Sequence, residues 1–274
     1  MRNAIFQYMI VNDKVDERGD IEGRKRSQVY RECADISRNS FLQYADHVDA
    51  DYHYSDEAVY CKDDHSTAIL FECLRVIYDP MFDQYDKVLF ADTDIVVNTD
   101  ENIFDICEDG DVFGVLESDI VTADGGGYNS WDYKQSTYLD FVNKFQMHGI
   151  PVVPSMPPSR PSKITILNTG VVVWTREARL RARELFMPWK EWFYAKPEFH
   201  MSVMNDQPYI SGQLMQHDFD LVTIDQTWND SPHYATEEEF FEKAKFCHYT
   251  GGGWKILMLD HYHSNKFRLS PKQM

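Results

Sequence analysis

The amino-acid sequence predicts an α/β domain with a mostly parallel central sheet flanked by helices. Strand-like and helix-like segments alternate along residues 1–118, as they do in chains that build such sheets. Two short apolar runs, Val88–Phe90 and Ile95–Val97, have the composition of strands buried on both faces. With 274 residues the chain can bury a substantial core, and we expect residues 1–274 to form a single domain.

The segments before residue 118 are predicted to follow one another as strand, helix, strand, helix, two strands, a short helix and a strand. Apolar residues recur with strand or helix spacing in most of these segments, and polar or turn-forming residues separate them. In order, the segments are Ala4–Val11, Ser27–Val48, Asp51–Tyr54, His65–Tyr78, Val88–Phe90, Ile95–Val97, Glu101–Ile106 and Val112–Leu116.

Two aspartates, Asp92 and Asp94, lie between the two apolar runs, where a buried strand ends. Carboxylates at such a position are costly unless a partner offsets their desolvation, and a cation is the usual partner. Because side chains alternate along extended backbone, both carboxylates point the same way, with Cα atoms roughly 7 Å apart, and can converge on one ion. Ligands of open α/β sheets also bind at this edge. The alternative is that both acids cap the next turn.

The pattern changes after residue 118. Asp119–Gly127 is predicted to be a loop, Trp131–Met147 an aromatic-rich helix, and the proline-rich residues 151–163 a stiff extended segment. A linker between two domains is one interpretation of the prolines. We favour an insertion over residues 119–163 that forms one wall of a site, because the following segment has the composition of another strand of the same sheet.

The remaining segments are predicted to be a strand and three helical regions. Pro188 is expected to kink or split the first helical region, and Thr236 begins a capping box for the last one. Four arginines of the first region, Arg176, Arg179, Arg181 and Arg183, are predicted to form a solvated face. The segments are Ile164–Trp174, Thr175–Ala195, a helix from Asn205 to about His217, and a helix from Thr236 to about Lys245.

The composition constrains the partners. Lys plus Arg 27 against Asp plus Glu 45 gives a net charge of −18, which argues against nucleic acid or an anionic membrane as the ligand. An anionic ligand would need a divalent cation or locally placed Lys and Arg. The five cysteines show no C-x-x-C spacing, and neither a signal peptide nor an apolar segment of about 18 residues is recognisable. We therefore expect a cytoplasmic protein with reduced thiols.

A glycine-rich turn follows His248 near the end of the chain. Its glycines allow backbone N–H groups to turn toward an oxyanion, and Lys255 adds a positive charge. A purely structural turn is the alternative. Arg75 has two interpretations as well, since a cation near a helix C-terminus is favoured by the helix dipole and is also placed to face a phosphate.

Taken together, these segments resemble the GT-A glycosyltransferases, and within them the glycogenin and galactosyltransferase type of family 8. The proline that usually follows the lysine of the last family motif is absent here, where Trp254 precedes Lys255. The motifs occur in the family's order, and they are Arg75, YDKVLFADTDIVV (Tyr85–Val97), ILNTGVVVW (Ile166–Trp174), NDQPYI (Asn205–Ile210) and HYTGGGWK (His248–Lys255).

The resemblance implies a GT-A fold and a metal-dependent enzyme that moves a sugar from a nucleotide-diphosphate sugar, with a UDP-sugar favoured, to a hydroxyl acceptor such as a saccharide. It implies that Asp92, Asp94 and His248 bind Mn²⁺, with Mg²⁺ as the alternative. It implies that Asn168, Asp206 and Gln207 lie around the transferred sugar. The donor-binding residues that it implies are Val11, Asn12, Asp13, Arg75, Asp92, Thr93, Gly251, Gly252 and Lys255.

The resemblance further implies retention of anomeric configuration, whereas an inverting enzyme would need a carboxylate base such as Asp119, Asp124 or Asp206. Two other functions remain open from the sequence. A sugar-phosphate nucleotidyltransferase would use a glycine-rich basic loop after the first strand, for which Asn12–Arg26 has the composition but no compact signature. A non-catalytic protein that binds nucleotide sugars or carbohydrates is the third possibility.

Overall fold

A six-stranded sheet forms the centre of the computed structural model, which describes residues 1–11, 16, 19–62, 68–116, 167–195, 206–232, 236–251 and 253–268. The strand order is β2-β1-β3-β6-β5-β7. Strand β6 runs antiparallel to its neighbours β3 and β5, and the other pairings are parallel, so five of the six strands share one direction. These strands are β1 (Asn3–Tyr8), β2 (Ala50–Ser55), β3 (Lys87–Ala91), β5 (Val112–Leu116), β6 (Leu167–Thr175) and β7 (Leu221–Thr223).

A second, two-stranded sheet lies beside the carboxyl end of β3. It pairs β4 (Ile95–Val97) with β8 (Phe246–His248) in antiparallel register, and His248 lies opposite Ile95. The sheets are flanked by helices, of which α1 is the longest described. The described α-helices are α1 (Arg26–His47), α2 (Arg75–Tyr78), α3 (Arg176–Leu185), α4 (Trp189–Ala195), α5 (Asp206–Gln216), α6 (Glu237–Lys243) and α7 (Trp254–His263).

Strand β3 is buried on both faces, as its composition predicts. Val88 and Phe90 belong to one hydrophobic cluster, whereas Leu89 and Ala91 belong to another on the opposite face of the sheet. A third cluster joins α1, α7 and the small sheet. The mostly parallel sheet flanked by helices confirms the predicted fold class, and β3 lies near its centre.

Two local signals in the sequence correctly predict helix boundaries. Pro188 separates α3 from α4, because proline has no backbone N–H to continue the helix. Thr236 caps α6, with its hydroxyl accepting a hydrogen bond from the Glu239 N–H at 3.4 Å.

The structure differs from the sequence-based predictions in two other elements. The helix predicted from residue 65 is a 3₁₀ helix over Ala68–Leu74 before α2 begins at Arg75. Strand β1 ends at Tyr8 rather than Val11, because its partner β2 ends at Ser55, which is paired with Tyr8. Beyond Tyr8 the Met9 N–H still donates to the Ser55 oxygen at 2.9 Å, but the described residues show no further strand pairing there.

The prediction of a solvated arginine face on α3 is wrong for Arg179. Its side chain is buried, and its Nη2 donates to the backbone oxygens of Phe82 at 3.0 Å and Tyr85 at 2.6 Å. Arg183, on the same helix, pairs with Asp83 at 2.6 Å. These arginines bind the segment before β3 to α3.

The insertion predicted over residues 119–163, including its aromatic-rich helix, lies outside the described residues. Among the helices that the structure does describe, none combines the length and the apolar composition needed to cross a bilayer.

Candidate active site

The aspartates that follow β3 are held by their own backbone. The Asp92 N–H donates to the Gly170 oxygen of β6 at 2.8 Å, and the Asp92 oxygen accepts from Gln7 Nε2 of β1 at 2.9 Å. The Asp94 oxygen accepts from the Tyr249 N–H at 2.9 Å. Three separate strands or strand ends therefore fix this turn at the carboxyl edge of the sheet, where ligands of α/β folds bind.

His248 reaches the same point from the small sheet. Its Nε2 lies 3.2 Å from Asp94 Oδ1 and 3.7 Å from Asp92 Oδ2. One ligand atom from each of Asp92, Asp94 and His248 lies within 4.8 Å of the other two. The side chains of Asp94 and His248 are only 13% and 4% exposed, but that of Asp92 is 42% exposed, so the cluster opens to solvent beside Asp92.

This set of donors fits a divalent cation. Two carboxylates and one imidazole nitrogen can surround an ion from one side, which leaves the open side for other ligands. Oxygen donors combined with an imidazole suit Mn²⁺ better than Ca²⁺, and Mg²⁺ remains compatible with the carboxylates.

Lys255 shares Asp94 with His248. Its Nζ lies 2.6 Å from Asp94 Oδ2, and the backbone oxygens of Tyr249 and Gly251 are each 3.5 Å away. Helix α7 begins at Trp254, so the glycine turn and this helix together bring the ammonium group to the cluster. The lysine places a positive charge at the edge where an anionic ligand would lie.

The charges of this cluster shift one another's proton affinity. Burial favours neutral Asp94, but the nearby Lys255 and His248 outweigh it and hold the pKa of Asp94 well below its usual value. Burial would lower the pKa of both His248 and Lys255, yet Asp94 raises each above its ordinary value. For Asp92, partial desolvation and the Asp94 charge raise the pKa. Asp92, which lies 3.7 Å from His248 Nε2, is therefore less stabilised as a carboxylate than Asp94, which contacts both His248 and Lys255.

A third carboxyl group lies beside the cluster. Asp206, the first residue of α5, accepts a hydrogen bond from Thr169 Oγ1 at 2.7 Å, and Cys73 Sγ lies 3.9 Å away. Burial raises the pKa of Asp206 to about 6. Thr169 precedes Gly170, whose oxygen accepts a hydrogen bond from the Asp92 N–H, so β6 connects Asp206 to the cluster of Asp92, Asp94 and His248.

The structure brings together most of the residues that the sequence selects. Thr93 is buried between the two aspartates, and Gly251 contributes its oxygen near Lys255 with φ of +81°, a conformation that glycine adopts readily. Asn168 connects to His248 through Asn229, whose Nδ2 donates to Asn168 Oδ1 at 2.9 Å and whose Oδ1 lies 2.7 Å from His248 Nδ1. Gln207 follows Asp206 at the start of α5, and its backbone oxygen accepts from Ser211.

Arg75 has other partners in this structure. Its Nη2 donates to Asp79 at 3.0 Å, its Nε lies 3.7 Å from Glu72, and its guanidinium packs over Phe6 at 5.2 Å. These contacts correspond to the structural interpretation, and a role toward the donor stays a prediction.

The predicted donor-binding residues at the start of the chain also remain predictions. Val11 is partly exposed beyond the end of β1. Asn12, Asp13 and Gly252 lie outside the described residues.

Several polar residues of the site were not predicted. Gln7 is fully buried and donates to both Asp92 O and Ser37 Oγ at 2.9 Å, while Tyr52 OH donates to Gln7 at 2.8 Å. The signal for Gln7 is an amide inside the otherwise apolar run Ala4–Val11. Asn229 lies in a segment without a motif, and no sequence signal distinguishes it.

Comparison with known proteins gives a fold but no sequence family. No family model matches this chain, and no curated protein matches its sequence. A glycosyltransferase involved in glycosylation of the major capsid of PBCV-1 superimposes with a TM-score of 0.53 at 13% identity, over 95% of this chain and 100% of that one. This chain has the fold of a glycosyltransferase. The GT-A fold predicted from the sequence is therefore confirmed, whereas the assignment to family 8 has no sequence support.

Two further solved structures have lower TM-scores. Mouse xyloside xylosyltransferase 1 has a TM-score of 0.46 at 12% identity, covering 91% of this chain and 98% of its own. The galactosyltransferase LgtC, in complex with donor and acceptor sugar analogues, has a TM-score of 0.44 at 11% identity, covering 95% of both chains.

Proposed function

We propose that this protein is a metal-dependent glycosyltransferase that moves a sugar from a nucleotide-diphosphate sugar to a hydroxyl acceptor. The observation that carries the proposal is the convergence of Asp92, Asp94 and His248 at the carboxyl edge of β3, within a fold shared with a glycosyltransferase. A diphosphate is a poor ligand for a protein of net charge −18 unless the site brings its own positive charge. A cation held by these three residues supplies it.

The residues of the chain favour departure of the diphosphate. Breaking the bond between sugar and phosphate develops negative charge on the leaving group, and fixed positive charge placed there stabilises the transition state. Lys255 is held beside Asp94 at 2.6 Å and is positioned to share that charge. Mn²⁺ bound by the three ligands would polarise the same phosphate oxygens, and Mg²⁺ is the alternative.

At the sugar end we propose that Asn168, Asp206 and Gln207 surround the transferred group. The resemblance to family 8 favours a hexose, a UDP donor and retention of configuration. The acceptor would be a saccharide or another hydroxyl compound, selected by residues 119–163. A cytoplasmic location remains the prediction from composition.

A thermal-shift screen of nucleotide sugars, with Mn²⁺ and with a chelator, tests this function. At a hundredfold excess over its Kd, a bound donor stabilises the folded state by about 2.7 kcal/mol, or roughly 5–10 °C in Tm. We expect that shift for a UDP-sugar with Mn²⁺ only. A nucleotide-monophosphate sugar is the matched control, since it lacks the diphosphate. Equal shifts with the chelator would contradict the metal assignment.

Turnover assays then identify the reaction. Release of UDP from the stabilising donor is expected, and NMR of the product's anomeric configuration tests retention. Formation of pyrophosphate from UTP and a sugar phosphate would instead indicate a nucleotidyltransferase. A protein that binds the donor without releasing UDP, with or without acceptors, would be a binding protein.

A further inference from the structure

Three buried side chains form a hydrogen-bonded row that leads away from the metal-ligand cluster. His248 Nδ1 lies 2.7 Å from Asn229 Oδ1, and Asn229 Nδ2 lies 2.9 Å from Asn168 Oδ1. All three residues are at least nine-tenths buried. Because the row is shielded from water, each of its donors must face an acceptor.

One backbone group determines the direction of the whole row. The Gly170 N–H can only donate, and it points at Asn168 Oδ1 at 2.9 Å. The Asn168 side-chain oxygen therefore faces the Gly170 N–H, and the same oxygen accepts a hydrogen bond from Asn229 Nδ2. Asn229 must present its NH₂ group to that oxygen, so its own oxygen faces His248.

His248 must then carry a proton on Nδ1 to donate to Asn229. In the neutral ring, the other nitrogen, Nε2, has the free lone pair, and Nε2 is the atom that faces both aspartates. Asp94 Oδ1, 3.2 Å from Nε2, competes for the same proton. Without Asn229 the carboxylate would draw the proton to Nε2 and block the atom that a cation needs.

The place of the ring is also restricted. A side chain at position 170 would put its Cβ 2.3 Å from His248 Cε1, so the imidazole packs directly against the Gly170 backbone. The same residue thus makes room for the ring and, through Asn168 and Asn229, sets its tautomer.

We propose that Asn229 is a positioning residue that holds His248 as the Nδ1–H tautomer, with Nε2 ready to bind a cation. A hydrogen bond to the second nitrogen of a metal-binding histidine fixes its ring and increases its basicity. The consequence for metal affinity rests on the proposed function, but the tautomer itself does not.

NMR of the metal-free protein labelled with ¹⁵N-histidine tests the tautomer directly. At a pH where the ring is neutral, His248 should show a protonated Nδ1 and an unprotonated Nε2, with its signals identified by their loss in His248→Ala. Asn229→Leu should gain the Nε2–H form, and Asn229→Asp, which keeps an acceptor, should not. An Nε2–H ring in the wild type would overturn the proposal without the need for any variant.

Mn²⁺ affinity, measured from the electron paramagnetic resonance of the free ion, tests the consequence. Asn229→Leu should bind Mn²⁺ about 10- to 100-fold more weakly than wild type. Asn98→Leu is the matched control, because Asn98 is similarly buried but donates to the Ala244 oxygen at the C-terminal end of α6 and accepts from the Arg268 N–H. Equal losses in both variants, or no loss in Asn229→Leu, would contradict positioning.

The two proposals can fail separately. If wild-type protein binds no Mn²⁺ but His248 is the Nδ1–H tautomer, the metal-dependent function is wrong and the role of Asn229 toward the ring stands. If wild type binds Mn²⁺ with the other tautomer, the function stands and the inference is wrong.

Discussion

The acidic cluster after β3 and the arginines Arg179 and Arg183 of α3 are both buried or partly buried groups of charge, but their partners differ. On α3, the Arg179 guanidinium donates to two backbone oxygens, and Arg183 meets Asp83 at 2.6 Å. After β3, two carboxylates share one imidazole and one ammonium group, and Asp92 remains 42% exposed. The arginines bind fixed groups of the chain, whereas the acids form the site that we propose binds a cation.

The difference separates stability from function. A charged side chain that donates to backbone carbonyls makes these hydrogen bonds whenever the chain is folded, so its removal changes the free energy of unfolding. In the acidic cluster the charges shift one another's pKa values, as is typical of a site that binds a ligand, so a substitution there should change ligand binding. Substitutions in the two groups should therefore change different measured quantities.

The largest effect is expected for Asp94→Asn. The amide keeps the shape of the side chain but removes the charge that both His248 and Lys255 face. The proposed glycosyl transfer should fall about 100- to 1,000-fold, the loss typical of an electrostatic group in a preorganised site. UDP release and Mn²⁺ titration measure it. Asp83→Asn, the acid paired with Arg183, is the matched control and should leave Mn²⁺ affinity unchanged. Unaltered Mn²⁺ binding in Asp94→Asn would show that the metal-site assignment is wrong.

Arg179→Met should lower the stability of the fold and leave Mn²⁺ binding unchanged. It leaves the Phe82 and Tyr85 oxygens buried without their donor, which is expected to lower the free energy of unfolding by about 3 kcal/mol. Urea unfolding measures this change. Arg176→Met, on the exposed side of the same helix, should cost less than about 0.5 kcal/mol. If Arg179→Met weakened Mn²⁺ binding as strongly as it weakened stability, the two groups would not be independent.

Local composition predicts the elements near the site well. The apolar runs that form β3 and β4 are recognisable because both faces of β3 are covered, and Pro188 and Thr236 act through their own backbone and side chain. The direction of β6 is not predictable in this way. Whether a strand runs parallel or antiparallel depends on how the chain returns to the sheet, and the residues that precede β6 carry no such signal.

The ligands of the proposed site are also recognisable, but their supports are not. Asp92 and Asp94 stand out because acids are unexpected at the end of a buried strand. Asn229 is an ordinary polar residue until the fold places it against His248, and Gln7 stands out within its apolar run, but only the fold places it against the Asp92 oxygen. Their importance comes from tertiary hydrogen bonds, which spacing along the chain does not encode.

The smallest effect is the pH dependence due to Asp206, which is neither a metal ligand nor part of the arginine group. Burial raises its pKa from 3.8 to about 6, so the folded state favours the protonated carboxyl. Its contribution to stability is therefore fully present below about pH 4 and is lost as the pH rises through 6. Asp206→Asn stays neutral and should remove this decrease, worth about 2 kcal/mol or less. Urea unfolding of both proteins from pH 4 to 7 checks it. Parallel stability profiles would show that Asp206 is ionised in the folded protein, and its hydrogen bond from Thr169 would then be to a carboxylate with an ordinary pKa.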